Sequence, residues 1–285
     1  MKNKTPNNFC GLPAKYSNYK DSKIAILPVP FDKTGSWLKG SDKGPQAIIN
    51  SSKYMELYDI ETNSEVYKQG LHTLKAVTSD TSKKMVANVC RETKRLINDG
   101  KFVVTLGGEH TVSLGAIMAH AGLFSNISIL HLDAHSDRRD AYEGSRYSHA
   151  CVMARAGEIT EEIISAGIRS MDSSELKNMD RRRIFFASDI CQRRDWISKA
   201  AGMLSENVYI TIDIDVLDPS IMPSTGTPEP GGLGWYEVLA LLKSVSSKKR
   251  IVGFDVVELL PSENKAPDFL AAKLTYKLLS YIFNR

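Results

Sequence analysis

Five short stretches of this chain are apolar almost from end to end: residues 23–29, 102–106, 127–132, 208–216 and 251–257. A strand with one face in water alternates polar and apolar side chains, whereas a strand covered on both faces does not. Segments with helical spacing lie between these runs. Residues 80–98 are the clearest case: Met85, Val86, Val89, Leu96 and Ile97 recur at helical intervals. Asp80 or Thr81 can cap that helix and Gly100 can end it. Buried strands alternating with helices admit few architectures, and a parallel sheet with helices on both faces is the economical one.

The remaining elements fit this pattern. Helices are expected at 45–57, 111–120, 235–244 and 267–282, and two further short strands at 166–168 and 184–187. No repeat or linker divides the 285 residues, so residues 1–285 are expected to form one α/β domain.

In such sheets, sites form at the carboxyl ends of the strands. Three of the expected strands end in potential metal ligands. They are His110 in Gly107-Gly108-Glu109-His110, then Asp133, His135 and Asp137 in Asp133-Ala134-His135-Ser136-Asp137, then Asp213 and Asp215 in Thr211-Ile212-Asp213-Ile214-Asp215. Side chains at i and i+2 share one side of a strand, so Asp133 with His135, and Asp213 with Asp215, are expected to converge on one point, and Asp137 joins them if the chain stays extended or turns gently. Four clustered carboxylates repel one another unless cations intervene, and two divalent ions supply the matching charge. Oxygen-rich ligands with two imidazoles suit Mn²⁺, while Co²⁺, Ni²⁺, Fe²⁺ or Zn²⁺ can compete. Two such ions about 3.5–4 Å apart would share a water and lower its pKa towards neutral, which is the chemistry of hydrolysis.

Other classes fit less well. The net charge of +4 is small, and the basic runs at residues 181–183 and 248–250 read as solvated turns, so a nucleic-acid partner is not expected. No apolar run reaches the ~18 residues of a membrane span, and the polar segment 1–13 has no signal-peptide core. The four cysteines are far apart in sequence, which fits free thiols in a cytoplasmic protein.

Taken in order, these motifs resemble those of ureohydrolases of the arginase–agmatinase family, which hydrolyse guanidinium groups to an amine and urea. The likeness runs from about Ile24 to Leu279 and includes Ser148-His149, the stretch from Asp213 to Gly232, and Gly253-Phe254-Asp255-Val256-Val257-Glu258. The resemblance implies a three-layer α/β domain around a mostly parallel, eight-stranded sheet, and commonly a homotrimer or homohexamer. It also implies two Mn²⁺ ions. His110 and Asp137 would hold one and His135 and Asp215 the other, with Asp133 and Asp213 bridging. His149 is expected to carry a proton to the leaving amine, and Glu258 to hold the guanidinium. Without the resemblance, His149 reads equally well as a loop histidine, and Glu258 as a surface acid closing a strand. Thr227 is either a substrate contact or part of a plain Gly/Pro turn. His131 is read as packed behind Asp133.

The loop 137–149 is expected to carry substrate choice. It resembles agmatinase-type members, with Ala150 where many of them have glycine. Agmatine ends in an ammonium, for which Asp140 or Glu143 are candidate partners; both acids can equally pair with Arg138, Arg139 or Arg146. N1-aminopropylagmatine, guanidinobutyrate and arginine remain alternative substrates. Two rival readings are a single-zinc, deacetylase-like amidohydrolase and a catalytically silent metal-binding homologue.

Overall fold

A computed structural model describes residues 5–284. The first four residues of the polar segment read as lacking a signal peptide lie outside them. Eight strands are present among the described residues: β1 (Ile24–Val29), β2 (Leu71–Thr73), β3 (Phe102–Gly107), β4 (Ile127–Leu132), β5 (Ile163–Ile168), β6 (Ile184–Phe186), β7 (Asn207–Asp213) and β8 (Arg250–Val257). They form one sheet in the order β2-β1-β3-β8-β7-β4-β5-β6, and every pairing in it is parallel.

The period of two along each strand sorts side chains between two cores. Ile24, Ile26, Val104, Leu106, Ile210 and Ile212 face one side, where helices Gly44–Ser52, Trp235–Lys248 and Ala266–Phe283 cover them. Ala25, Leu27, Val103, Ile129 and Tyr209 face the other, under helices Ser82–Asn98 and Thr111–Ala121. The result is three layers, helix–sheet–helix. No helix among the described residues is long and apolar enough to cross a membrane.

Local signals set most boundaries. The Thr81 hydroxyl accepts from the Lys84 amide and starts helix Ser82–Asn98. Several boundaries differ from expectation. The helix containing Pro45 ends at Ser52, well short of 57. Strand β5 begins at Ile163, its apolar look diluted by Ser165 and Gly167. Strand β2 was not expected; it is three residues long. Strand β7 stops at Asp213, and Ile214–Val216 form a 3-10 turn. That last difference reshapes the site.

Candidate metal centre

The four central strands of the sheet, β3, β8, β7 and β4, are consecutive neighbours. All the proposed ligands and Glu258 lie at or just past their carboxyl ends. After β3 the chain passes Phe31 through Gly108, where a Cβ would stand 2.1 Å from the Phe31 carbonyl oxygen. Only glycine allows that approach, which delivers His110 to the start of the next helix.

Asp133 and His135 do not share a strand face, and neither do Asp213 and Asp215, because β4 ends at Leu132 and β7 at Asp213. Each pair instead closes a tight turn. Asp133 Oδ1 accepts the His135 amide at 2.5 Å, and Asp213 Oδ1 accepts the Asp215 amide at 3.0 Å. Asp215 Oδ1 takes the Ala134 amide at 3.0 Å and ties the two turns together. Short acids favour such side-chain-to-backbone turns. One oxygen of each carboxylate is thereby spent on the backbone, and the other faces the imidazoles.

The imidazole contacts divide into two sets. His110 Nδ1 lies 2.9 Å from Asp137 Oδ2, 3.1 Å from Asp133 Oδ2 and 3.5 Å from Asp213 Oδ2. His135 Nδ1 lies 3.0 Å from Asp215 Oδ2 and 3.6 Å from Asp133 Oδ1. Asp133 belongs to both sets. Despite three carboxylate oxygens nearby, His110 Nδ1 is buried without a hydrogen bond. A buried ring nitrogen gathered with three carboxylates and left without a hydrogen bond is the kind of donor set a cation would complete, so the residues fit a metal ion.

The electrostatics agree. Burial, then the neighbouring Asp133 charge, push the Asp137 carboxyl up to about 7. Burial, then Asp215, raise Asp213 well above the carboxylate range. Burial opposes charge on His135, but Asp215 and Asp133 outweigh it and hold the imidazole near 12. Each shift is towards the protonated form, and a metal would compete with that proton. Asp137 also adopts a left-handed φ of 52°, and Glu258 one of 65°. Such backbone costs of order 1 kcal/mol or more for a non-glycine residue and gathers at functional sites.

A buried polar layer braces the centre. Asp255 accepts the Tyr209 hydroxyl at 2.7 Å and the Thr211 hydroxyl at 2.7 Å. With its proton committed to Asp255, Thr211 Oγ1 accepts from His110 Nε2, 3.0 Å away. That arrangement suits a proton on Nε2 and turns Nδ1 towards the carboxylates, where it could ligate a metal. His131 joins Asp133 Oδ2 at 2.8 Å and Ser165 at 3.0 Å, the packed position expected of it.

Above the centre lies a cavity of about 250 Å³. His149, Thr227 and Glu258 line it, together with His135, Asp137, Asp213 and Asp215. Glu258 is held by its own amide to Gly108 O at 2.7 Å, and its Oε1 accepts the His110 amide at 2.6 Å. Burial, then Glu109, push its carboxyl well up. His149 is packed edge-on against Tyr142. Burial, then His110, His135 and Lys39, lower its imidazole to about 4.

Asp140 and Glu143 are not brought to the cavity. Asp140 turns to Arg155 at 2.6 Å and Arg146 at 3.6 Å. Glu143 is exposed at the tip of a tight turn closed by Tyr142 and Ser145, with φ 47°. Besides the candidate ligands and Glu258, the acids that line the cavity are Asp32, Asp172 and Glu175. Asp172 follows β5, so the rule of strand ends could have found it. Glu175 accepts the Ser136 hydroxyl and, at 2.8 Å, the Arg138 amide, bracing the loop of ligands. Nothing in its polar surroundings in sequence marks it.

Buried carboxylates and imidazoles at the carboxyl ends of a parallel sheet define a metal-dependent hydrolase of the three-layer α/β type. The Arginase family model matches residues 22–280, and the chain belongs to that family, as a ureohydrolase. It is 36% identical to the N(1)-aminopropylagmatine ureohydrolase of Synechocystis, over 97% of this chain and 96% of that one. It is 32% identical to the agmatinase of Pyrococcus horikoshii, over 91% and 92%. The crystal structure of the agmatine ureohydrolase of Thermoplasma volcanium superposes with a TM-score of 0.88 at 32% identity, covering 99% of this chain and 96% of that one.

Proposed function

We propose that this chain hydrolyses the guanidinium group of an agmatine-type amine, with N1-aminopropylagmatine ahead of agmatine, yielding urea and the freed polyamine. The charge of the cavity wall carries this reading. Asp32, Asp172, Glu175 and Glu258 line it against a single arginine, Arg139. Arg139 itself lies 3.5 Å from Asp172 and 3.8 Å from Glu175. Such a wall attracts a polycation and repels the carboxylate of arginine or guanidinobutyrate. The relative from Synechocystis supports the longer amine. Agmatine stays as the second reading because the Thermoplasma volcanium protein, an agmatine ureohydrolase, has the same fold.

The residues gathered at the cavity suit the following roles. Two divalent ions, Mn²⁺ foremost, would be held by His110 and Asp137 on one side and by His135 and Asp215 on the other, with Asp133, which faces both imidazoles, and Asp213 completing the set. When bound, they acidify water and so supply a nucleophile at neutral pH. Glu258 orients the guanidinium, since a carboxylate can accept two parallel N–H bonds, and the substrate's positive charge would restore the ionised form that burial disfavours. As the water oxygen adds to the guanidinium carbon, its proton passes to the neutral His149. The C–N bond to the amine then breaks, and His149 returns that proton to the leaving nitrogen. Thr227 borders the substrate. The four thiols, free in the structure, are in keeping with a cytoplasmic setting.

The test is urea release by the metal-loaded protein, comparing N1-aminopropylagmatine, agmatine, guanidinobutyrate and arginine by kcat/KM. The two amines should lead. Leadership by either carboxylated compound would overturn the substrate assignment. No urea from any of them would favour the silent homologue.

A further inference from the structure

His149 is not held by the metal ligands. It is held by the loop that follows β1. The Thr34 hydroxyl accepts the His149 amide at 3.1 Å and lies 3.4 Å from His149 Nδ1, at the long end of hydrogen bonding. The Thr34 carbonyl also faces the ring. Thr34 has little freedom of its own. Its hydroxyl donates to Glu109 Oε1 at 2.7 Å, and its amide to Glu109 Oε2 at 2.6 Å. The Lys33 amide and the Thr111 hydroxyl complete the shell around Glu109, each at 2.7 Å. Glu109 is fully buried, and its carboxylate therefore acts as a fixed post with four donors around it.

The direction of these bonds has a chemical consequence. A hydroxyl carries one proton, and the Thr34 proton is committed to Glu109. Towards His149, Thr34 can only accept. A ring nitrogen beside it must then be the protonated one, which assigns the hydrogen to Nδ1 and the exchangeable lone pair to Nε2. Ser148 Oγ lies 3.3 Å from the same Nδ1, but its rotor is free to donate or accept and cannot set the tautomer.

Resting on the assignment of His149 as proton carrier, we propose that Thr34, clamped by Glu109, is a positioning residue that fixes the orientation and tautomer of His149. As His149 takes up a proton at Nε2, the imidazolium keeps its Nδ1–H on Thr34, and the buried Glu109 carboxylate lies one hydroxyl away. The loop after β1 thus joins the cavity wall to the proton path.

A double-mutant cycle tests this in the metal-loaded enzyme. Thr34→Val removes the hydroxyl and preserves shape. It should lower kcat about tenfold, a fraction of the ~100-fold or more that general acid–base catalysis supplies, with KM unchanged. Thr34→Ser should restore kcat, and Ser148→Ala should cost less than Thr34→Val. In a His149→Ala background, Thr34→Val should cost nothing further, because its effect passes through His149. Bound metal and melting midpoint verify that Thr34→Val is folded; Thr34→Ala replaces it otherwise. Equal losses in both backgrounds, or a Thr34→Val enzyme with unchanged kcat, would overturn the positioning role. An unimpaired His149→Ala enzyme would instead overturn the assignment of His149.

Discussion

The floor and the rim of the cavity are built on different principles. The floor comes from the ends of four adjacent strands, and nearly every polar atom in it has a buried partner. Asp133 is tied to His131 and to the His135 amide, Asp215 to the Ala134 amide, and His110 through Thr211 to Asp255. The rim comes from loops after β1, β4 and β5. Trp37 stands 67% exposed there, and Asp172 and Arg139 form a half-buried ion pair. A rigid floor suits chemistry that tolerates little displacement, whereas a loose rim can change partners without disturbing it. On the proposed function, reaction and substrate choice would then reside in separable parts of the molecule.

That separation can be broken most severely at the floor. Asp133 faces both imidazoles, so Asp133→Ala should lower kcat about a thousandfold or more, since metal-assisted hydrolysis supplies several kcal/mol. Metal analysis should show the variant depleted. Retained activity would contradict a shared ligand. His149→Ala comes next, with a loss of about 100-fold in kcat and little change in KM. A variant that lost substrate affinity instead would recast His149 as part of the rim.

The floor also has a pH signature. Asp137, raised to about 7, and His135, raised to about 12, bind protons more tightly folded than unfolded. The stability they contribute is complete below their unfolded values, ~3.9 and ~6.5. It drains away as pH rises towards the folded ones. Lowered His149 pulls the other way, but mainly below about pH 6.5. Chelated protein should therefore melt a few degrees lower at pH 8 than at pH 6. Metal-loaded protein should show the opposite trend, because ligation requires deprotonated groups. Parallel trends in calorimetry would contradict the idea that protons and metal compete at this floor.

The rim should respond most gently. Asp172→Asn should raise KM for N1-aminopropylagmatine about two- to fivefold, the scale of one surface ion pair, and leave kcat alone. Asp140→Asn, whose partner is Arg155 outside the cavity, should change neither. Kinetics in which Asp140 mattered more than Asp172 would reverse the placement of the rim.

The same division governs what could be read from sequence. The sheet was legible because parallel strands must be apolar on both faces, and the candidate ligands because each stands at or just past the end of such a strand. The geometry joining them was not: Asp213 and Asp215 meet through a turn, and β-branched Ile214 gave no warning that β7 had ended. The rim was harder still. Asp140 and Glu143 were attractive by charge and by nearness to Asp137, but charge does not reveal where a loop turns. Asp172 and Glu175 lie more than thirty residues from Asp137 and reach the cavity only because β5 lies beside β4. Likewise, the Asp255–Thr211–His110 brace depends on the neighbouring of β7 and β8, which non-local pairing alone creates.

The most direct test titrates Mn²⁺ into chelated protein while following urea release from N1-aminopropylagmatine. Activity should rise to a maximum at two ions per chain, and Asp133→Ala should abolish the rise. Full activity at one ion per chain, or activity that survives chelation, would contradict a catalytic floor built for two.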